Sequence, residues 1–190
     1  MGNFDLKNMG SNDFWGQTRT IFLYGEVNMA LAYDVGFRLK YLDYVDSSEP
    51  ITIEINSPGG EVSSGLAIID TMNYVQSPIR TVICGTAASM SALIAGCGTK
   101  GMRFALPNSM AMIHQPLGGF GVSQASDIEI YAKNILKTKK NLNRILADAC
   151  NKPIEEIEKD TERDYYLTSL EAKEYGLIDG IIETKKGVYQ

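Results

Sequence analysis

The sequence predicts an α/β fold built on stacked parallel strands, and three observations carry that prediction. Short apolar stretches alternate with stretches of helical spacing through most of the chain. Turn-forming residues separate them: Pro50, the run Ser57-Pro58-Gly59-Gly60, and Gly85. The 190 residues, 44% of them hydrophobic, suffice for one domain with a substantial core. Strand–turn–helix units repeated in this way are the pattern of a sheet covered by helices.

Residues 1–17 are polar and rich in Gly and Asn, and the reading is of a flexible or partner-dependent segment. The expected organisation is therefore an N-terminal segment over 1–19 and a single domain over 20–190. A short apolar strand is expected at 20–24. Leu31, Val35, Leu39 and Leu42 give helical spacing over 28–44. Ile51, Ile53 and Ile55 alternate with polar residues and predict a strand over 51–55. After the turn at 57–60, residues 62–75 read as a helix. A strand follows at 81–84, then a helix of small apolar residues over 89–95, then a strand over 110–113. A long helix is expected from Asp127 to about Ala149, opened by a capping box of Ser126 and Glu129. Its stripe of Ile128, Tyr131, Ile135, Leu142 and Ile145 is hard to bury in one small core and points to a partner subunit. Thr168 and Glu171 form a second capping box before a last short helix that ends near Gly176. A closing strand is expected over 178–182.

Composition narrows the function. With 18 Lys and Arg against 23 Asp and Glu, the net charge is −5, which lacks the clustered positive charge of a nucleic-acid binder. No apolar run approaches the roughly 20 residues that span a bilayer, and residues 1–12 lack a secretory pattern, so a cytoplasmic location is expected. Cys84, Cys97 and Cys150 have no metal-ligand spacing and read as buried, reduced thiols.

Four segments hold residues that can do chemistry. In Gly85-Thr86-Ala87-Ala88-Ser89-Met90-Ser91 a strand gives way to a helix at a serine, where helix N-terminal amides favour a developing oxyanion. A serine at a helix start is more commonly only a cap. His114 is the single histidine, so any serine–histidine mechanism must use it and a site of several histidines on zinc is ruled out. A carboxylate is needed to orient the imidazole, and the run 160–164 offers Asp160, Glu162 and Asp164, among which composition does not choose. Gly59 and Gly60 allow unusual backbone angles and close approach, although a plain turn is the commoner explanation.

Taken in order, these segments resemble one family. Ile55-Asn56-Ser57-Pro58-Gly59-Gly60, Gly85-Thr86-Ala87-Ala88-Ser89-Met90, Pro107-Asn108-Ser109, Met112-Ile113-His114-Gln115-Pro116, Glu162-Arg163-Asp164 and the stretch from Glu171 to Asp179 are similar to the Clp peptidase subunit family, over roughly Thr20 to Glu183. The resemblance implies a crotonase-like spiral of repeated ββα units with a projecting handle. It implies Ser89 as nucleophile, His114 as general base, Asp164 as orienting acid, and the amides of Gly60 and Met90 as the oxyanion hole. It also implies two stacked heptameric rings joined through the handle at residues 124–149, with Gln124, Asp127 and Arg163 at ring–ring contacts. Unfolded proteins are the implied substrates, fed by an AAA+ ATPase that spends the ATP, so that no cofactor or metal belongs to this subunit. Two departures stand out. Residues 1–19 do not align with the family's axial segment, and Glu54 stands where the family carries an aromatic residue lining the cleft that docks the ATPase. Two other readings remain: a crotonase-like acyl-CoA enzyme, which shares the fold and a two-amide oxyanion hole, and a non-catalytic ring subunit.

Overall fold

A computed structural model of the chain describes residues 11–119, 121–122 and 124–182. The strands β1 (Thr20–Tyr24), β2 (Ile51–Ser57), β3 (Ile79–Ala88), β4 (Arg103–Ala105) and β7 (Gly180–Ile181) lie side by side in that spatial order, all parallel. Register follows the period-two alternation of the sequence. Ile21 stands beside Ile53 and Leu23 beside Ile55 on one face, and all four are fully buried. Phe22, Glu54 and Val82 line up on the other face.

The helices that cover the apolar face are α2 (Met29–Val45), α3 (Val62–Tyr74) and the short α4 (Met90–Gly96). Asn28 caps α2 by accepting from the Leu31 amide at 3.0 Å, which fixes the phase that turns Val35, Leu39 and Leu42 inward. Each such aliphatic side chain contributes about 1.5–3 kcal/mol on full burial.

The sheet forks at β3. Its first half pairs with β4 and its last three residues pair with β5 (Met110–Ile113). The bend comes at Gly85, whose φ of 109° a side chain would strain, and where a Cβ would stand 2.9 Å from Asn56 Oδ1. β5 then pairs antiparallel with β6 (Tyr165–Thr168). This small branch carries the chemistry described below.

The long helix α5 (Ala125–Cys150) divides by burial. Leu142, Leu146, Ala147, Ala149 and Cys150 lie in the core, whereas Ile130 is 66% and Leu136 64% exposed. Of the expected stripe, Ile128 is 39% and Tyr131 40% exposed, Ile135 and Ile145 are half-buried and Leu142 is buried, so the part of α5 nearer its start is the less covered. Helices α6 (Ile154–Asp160) and α7 (Ser169–Tyr175) return the chain to β7. The α7 capping box is formed as expected, with the Thr168 side chain accepting from the Glu171 amide and Glu171 reaching back to the Thr168 amide.

Three expectations are corrected. Residues 11–18 form a helix, α1 (Ser11–Thr18), in place of a flexible stretch; residues 1–10 and 183–190 lie outside the described residues. α1 is held by rings: Phe14 stacks on Phe22 with centroids 5.9 Å apart, Trp15 meets Tyr41 edge-on at 5.5 Å, and Arg38 lies 4.6 Å over Trp15. Arg19 follows, donating to the carbonyls of Leu42, Asp46, Glu49 and Pro50, so the boundary at residue 19 is an anchored one. The Ser126–Glu129 box is absent, because α5 starts at Ala125 with Gln124 at its N-cap and Ser126 is already inside the helix. Cys150 is buried, but Cys84 and Cys97 are only partly so. Burial still pushes the thiols up, Cys84 and Cys97 to about 12 and Cys150 to about 11.

Candidate active site

Each reacting side chain is placed by a different element. Ser89 stands between β3 and α4 with φ 58° and ψ −125°, a conformation that costs a non-glycine residue on the order of 1–3 kcal/mol. Its amide donates to Met112 O at 2.8 Å, which locks the junction to β5. Ser91, two residues on, is fully buried, with its hydroxyl 2.8 Å from both Ser57 O and Ala88 O, so it braces the turn and does not face a substrate.

His114 and Asp164 meet because of strand register. In the β5–β6 ladder Met112 opposes Tyr166 and Ile113 opposes Tyr165. One step further the same antiparallel register sets His114 opposite Asp164. His114 Nδ1 lies 3.1 Å from Asp164 Oδ1, and His114 Nε2 lies 2.8 Å from Ser89 Oγ. The histidine side chain is 12% exposed and the aspartate 56%. Asp160 is accounted for elsewhere, since it accepts from the Tyr175 hydroxyl at 2.9 Å, and Glu162 pairs with Lys139 at 2.8 Å. Of the acids that composition left open, only Asp164 reaches the imidazole.

The Ser57–Gly60 turn packs directly on the serine. A Cβ on Gly59 would lie 2.5 Å from Ala88 O and 2.8 Å from Ser89 Cβ, and one on Gly60 would lie 2.3 Å from Val27 O. Gly59 has φ 86° and Gly60 φ 150°. Met90 supplies the first amide of α4, which has no acceptor within its own helix. Gly60, Ser89, Met90 and His114 all line one cavity of about 270 Å³. Its farther wall is Val62, Leu93, Pro116, Leu142 and Leu146, with Asn143 and Thr161. The apolar stripe of α5 pointed to Leu142, but sequence reading gave no sign of Asn143 and Thr161, whose approach depends on how α5 crosses α4.

The remaining candidates lie apart. Gln124 caps α5 through its backbone only, and Asp127 sits in that helix's first turn. Arg163 is exposed next to Asp164. No hydrogen bond or ion pair joins these three to one another among the described residues. Glu54 lies on the sheet face opposite the core, as alternation requires, but it is half-buried and paired: the Tyr24 hydroxyl donates to it at 2.6 Å. Burial and the neighbouring Glu54 carboxylate push the Tyr24 phenol upward.

The arrangement is that of acyl transfer to a serine. A hydroxyl hydrogen-bonded to an imidazole, an imidazole oriented by a carboxylate, and amides at a helix start are the parts that such a reaction needs. Sequence comparison points the same way. A family model for Clp protease matches residues 10–185, so the likeness begins ahead of residue 20 and includes α1. The ATP-dependent Clp protease proteolytic subunit 3 of Synechococcus sp. (strain CC9605) is 55% identical over 167 residues, 88% of this chain and 84% of its own. The ATP-dependent Clp protease proteolytic subunit of Ligilactobacillus salivarius (strain UCC118) is 53% identical over 170 residues, 90% of this chain and 86% of its own.

Proposed function

The chain belongs to the Clp protease family and is a serine peptidase, and from that premise we propose that Ser89, His114 and Asp164 are its catalytic groups. The observation that carries the assignment is the hydrogen-bonded chain from Ser89 Oγ through both imidazole nitrogens to Asp164. In the proposed reaction Ser89 Oγ attacks the substrate carbonyl while His114 Nε2 takes its proton. Asp164 holds the imidazole in the tautomer that presents a lone pair at Nε2 and stabilises the imidazolium that forms. The carbonyl oxygen becomes an oxyanion that the amides of Gly60 and Met90 receive. His114 then gives its proton to the leaving amine, and water, activated by the same imidazole, releases the acyl group.

The names of the relatives include ATP dependence. We infer that here, too, an AAA+ ATPase spends the ATP and delivers unfolded protein, with no cofactor held by this chain. Assembly into two stacked heptameric rings, with Gln124, Asp127 and Arg163 at their contact, belongs to the same proposal. Two exposed apolar surfaces support it. One is the free half of α5. The other is the row Tyr33, Phe37 and Tyr41 on α2, stacked at 6.4 Å intervals and 75%, 56% and 48% exposed. A cytoplasmic site of action completes the proposal. None of the helices among the described residues is long and apolar enough to cross a membrane.

The test is a fluorophosphonate probe and a fluorogenic peptide. Wild type is expected to label at Ser89 and cleave. Ser89→Ala and His114→Ala should each lose at least about a thousandfold in turnover while keeping the native mass of the assembly. Near-normal turnover in Ser89→Ala would overturn the assignment. An acyl-CoA enzyme would show no labelling at Ser89, and so would a non-catalytic ring subunit.

A further inference from the structure

Asp164 is the least sheltered of the three reacting groups, and the chain around it is held in an uneven ladder. Ile113 of β5 opposes Tyr165 of β6, and two residues later the Gln115 amide donates to Thr161 O at 2.7 Å. Between these two closures one side advances by a single residue, His114, and the other by three, Glu162, Arg163 and Asp164. The longer side forms an arch, a bulge of the kind that re-aims side chains beside active sites. All three arch residues are exposed. Packing therefore does little to fix the carboxylate, and the position of its backbone has to do so.

The Gln115 side chain supplies a tie. Its Nε2 donates to Glu162 O at 2.8 Å, so the residue that closes the arch with its backbone also holds the arch with its side chain. Pro116 follows and confines Gln115 to extended backbone, which makes it a firm post. The cavity beside Ser89 is lined by His114, Pro116 and Leu117 but not by Gln115, whose amide is spent on the arch. A second tie runs from Lys139 to the Glu162 carboxylate at 2.8 Å, between two side chains open to water. Exposed ion pairs of this kind hold long side chains loosely and contribute little. The carbonyl held by Gln115 is the stiffer point, because it belongs to the arch backbone itself.

We propose that Gln115 is a positioning residue of the peptidase reaction, whose side-chain amide fixes the arch so that Asp164 meets His114 Nδ1. It acts only through the orienting carboxylate, which lies 3.1 Å from that nitrogen and selects the reactive tautomer. Without the tie the exposed arch samples positions in which the carboxylate leaves the imidazole, and the share of correctly oriented protein falls. The proposal rests on the peptidase reading given above.

The experiment is a double-mutant cycle on the assembled protein. Gln115→Met keeps the length of the side chain and removes the donor, while Asp164→Ala leaves nothing for the arch to position. The readouts are kcat and KM on a fluorogenic peptide, and the rate at which a fluorophosphonate labels Ser89, which stays measurable when turnover is too slow to follow. Gln115→Met alone is expected to lower kcat and the labelling rate about tenfold, with KM within about twofold of wild type, since Gln115 does not line the cavity. In the Asp164→Ala background the same substitution should change the labelling rate by less than about twofold, because a residue acting only through Asp164 has nothing left to lose. An equal fall in both backgrounds would make Gln115 a structural residue and overturn the inference. A labelling rate within about twofold of wild type for Gln115→Met alone would overturn it as well. Gln115→Asn, which keeps the amide but is one methylene short of Glu162 O, goes through the same cycle and decides by the same criteria should Gln115→Met fail to assemble. Failure of wild type itself to label or cleave would instead remove the peptidase reading, and this inference with it.

Discussion

Ser89 is held in an unfavourable backbone conformation by its neighbours, and Gly59 is the closest of them. At φ 86°, and with Ala88 O and Ser89 Cβ inside contact distance of any added carbon, Gly59 has no room for a side chain. Gly59→Ala is therefore expected to push the turn off the serine and disturb the distance of 2.8 Å to His114. A misplacement of about 1 Å at a reacting group costs on the order of a hundredfold in rate, so kcat should fall by about that factor. Rates and urea unfolding measured on the same sample separate this from simple unfolding. A folded variant that cleaves at the wild-type rate would show that the turn does not position Ser89. The serine, by contrast, was legible beforehand as a residue at a strand–helix junction; what no sequence pattern displays is the left-handed φ that lifts it clear of a capping role.

Between elements, the clearest energetic tie is that of β4 to the start of β7. Arg103 is almost wholly buried and donates through Nε to Asp179 Oδ2 at 2.9 Å, while the amides of Gly101 and Arg103 donate to the same oxygen. Burial is the largest single influence on Asp179 and raises it, but the Arg103 hydrogen bonds and charge together with the amides outweigh burial, and the carboxyl lies below its usual range. A depressed folded value contributes stability that is present above the unfolded value, near 3.9, and is lost as pH falls through the folded one. Asp179→Asn, which strands the Arg103 charge, should cost about 3 kcal/mol at pH 7. The deficit against wild type should narrow below pH 4. Urea unfolding at pH 7 and at pH 3.5 checks both, and a deficit independent of pH would mean that the ion pair is not its source. α5 makes a second prediction at this scale. Ile135 is half-buried, with Cδ1 only 2.5 Å from where a Cβ on Gly118 would stand, so Ile130 and Leu136 are the cleaner probes of assembly. Ile130→Glu is expected to lower the native mass to single rings by burying an unpaired carboxylate at the contact, and to reduce peptide cleavage with it. Full activity in separated rings would sever assembly from the geometry around Arg163 and Asp164.

At the scale of the molecule, the sheet has one face on the core and one face outward, and Glu54 stands on the outward face. Its carboxylate is already engaged by the Tyr24 hydroxyl, beside Phe22 and Cys84, so it forms part of a polar cluster within an aromatic surface. An apolar anchor docking there would have to desolvate that pair. Glu54→Tyr removes the charge and adds a ring, and binding of a Clp-type ATPase should strengthen by roughly 1–2 kcal/mol. Unassisted cleavage of short peptides should not change, since Glu54 lies on the opposite side of the sheet from the covering helices that flank Ser89. Titration of both proteins with one ATPase, read by degradation of a protein substrate, decides it; equal apparent affinities would place Glu54 outside the docking surface.

Local information in the sequence was enough for most of the elements. Period-two alternation located β2, a short apolar run located β1, helical spacing located α2 and the stripe of α5, and Thr168 with Glu171 located the start of α7. These signals come from neighbours in the chain, so they survive without a tertiary context. The short β4 and β6 and the α1 helix escaped notice because a strand of three or four residues, or a polar helix of eight, is stabilised mainly by what it packs on. The site shows the same division. The single histidine and the serine at a strand–helix junction were visible as candidates; composition left Asp160, Glu162 and Asp164 open and the family resemblance implied Asp164, but why it alone reaches the imidazole lies in the antiparallel register of β5 and β6. Asn143 became visible only when α5 was laid across α4, because a pocket wall is made by residues far apart in the chain, and nothing in their local sequence records the meeting.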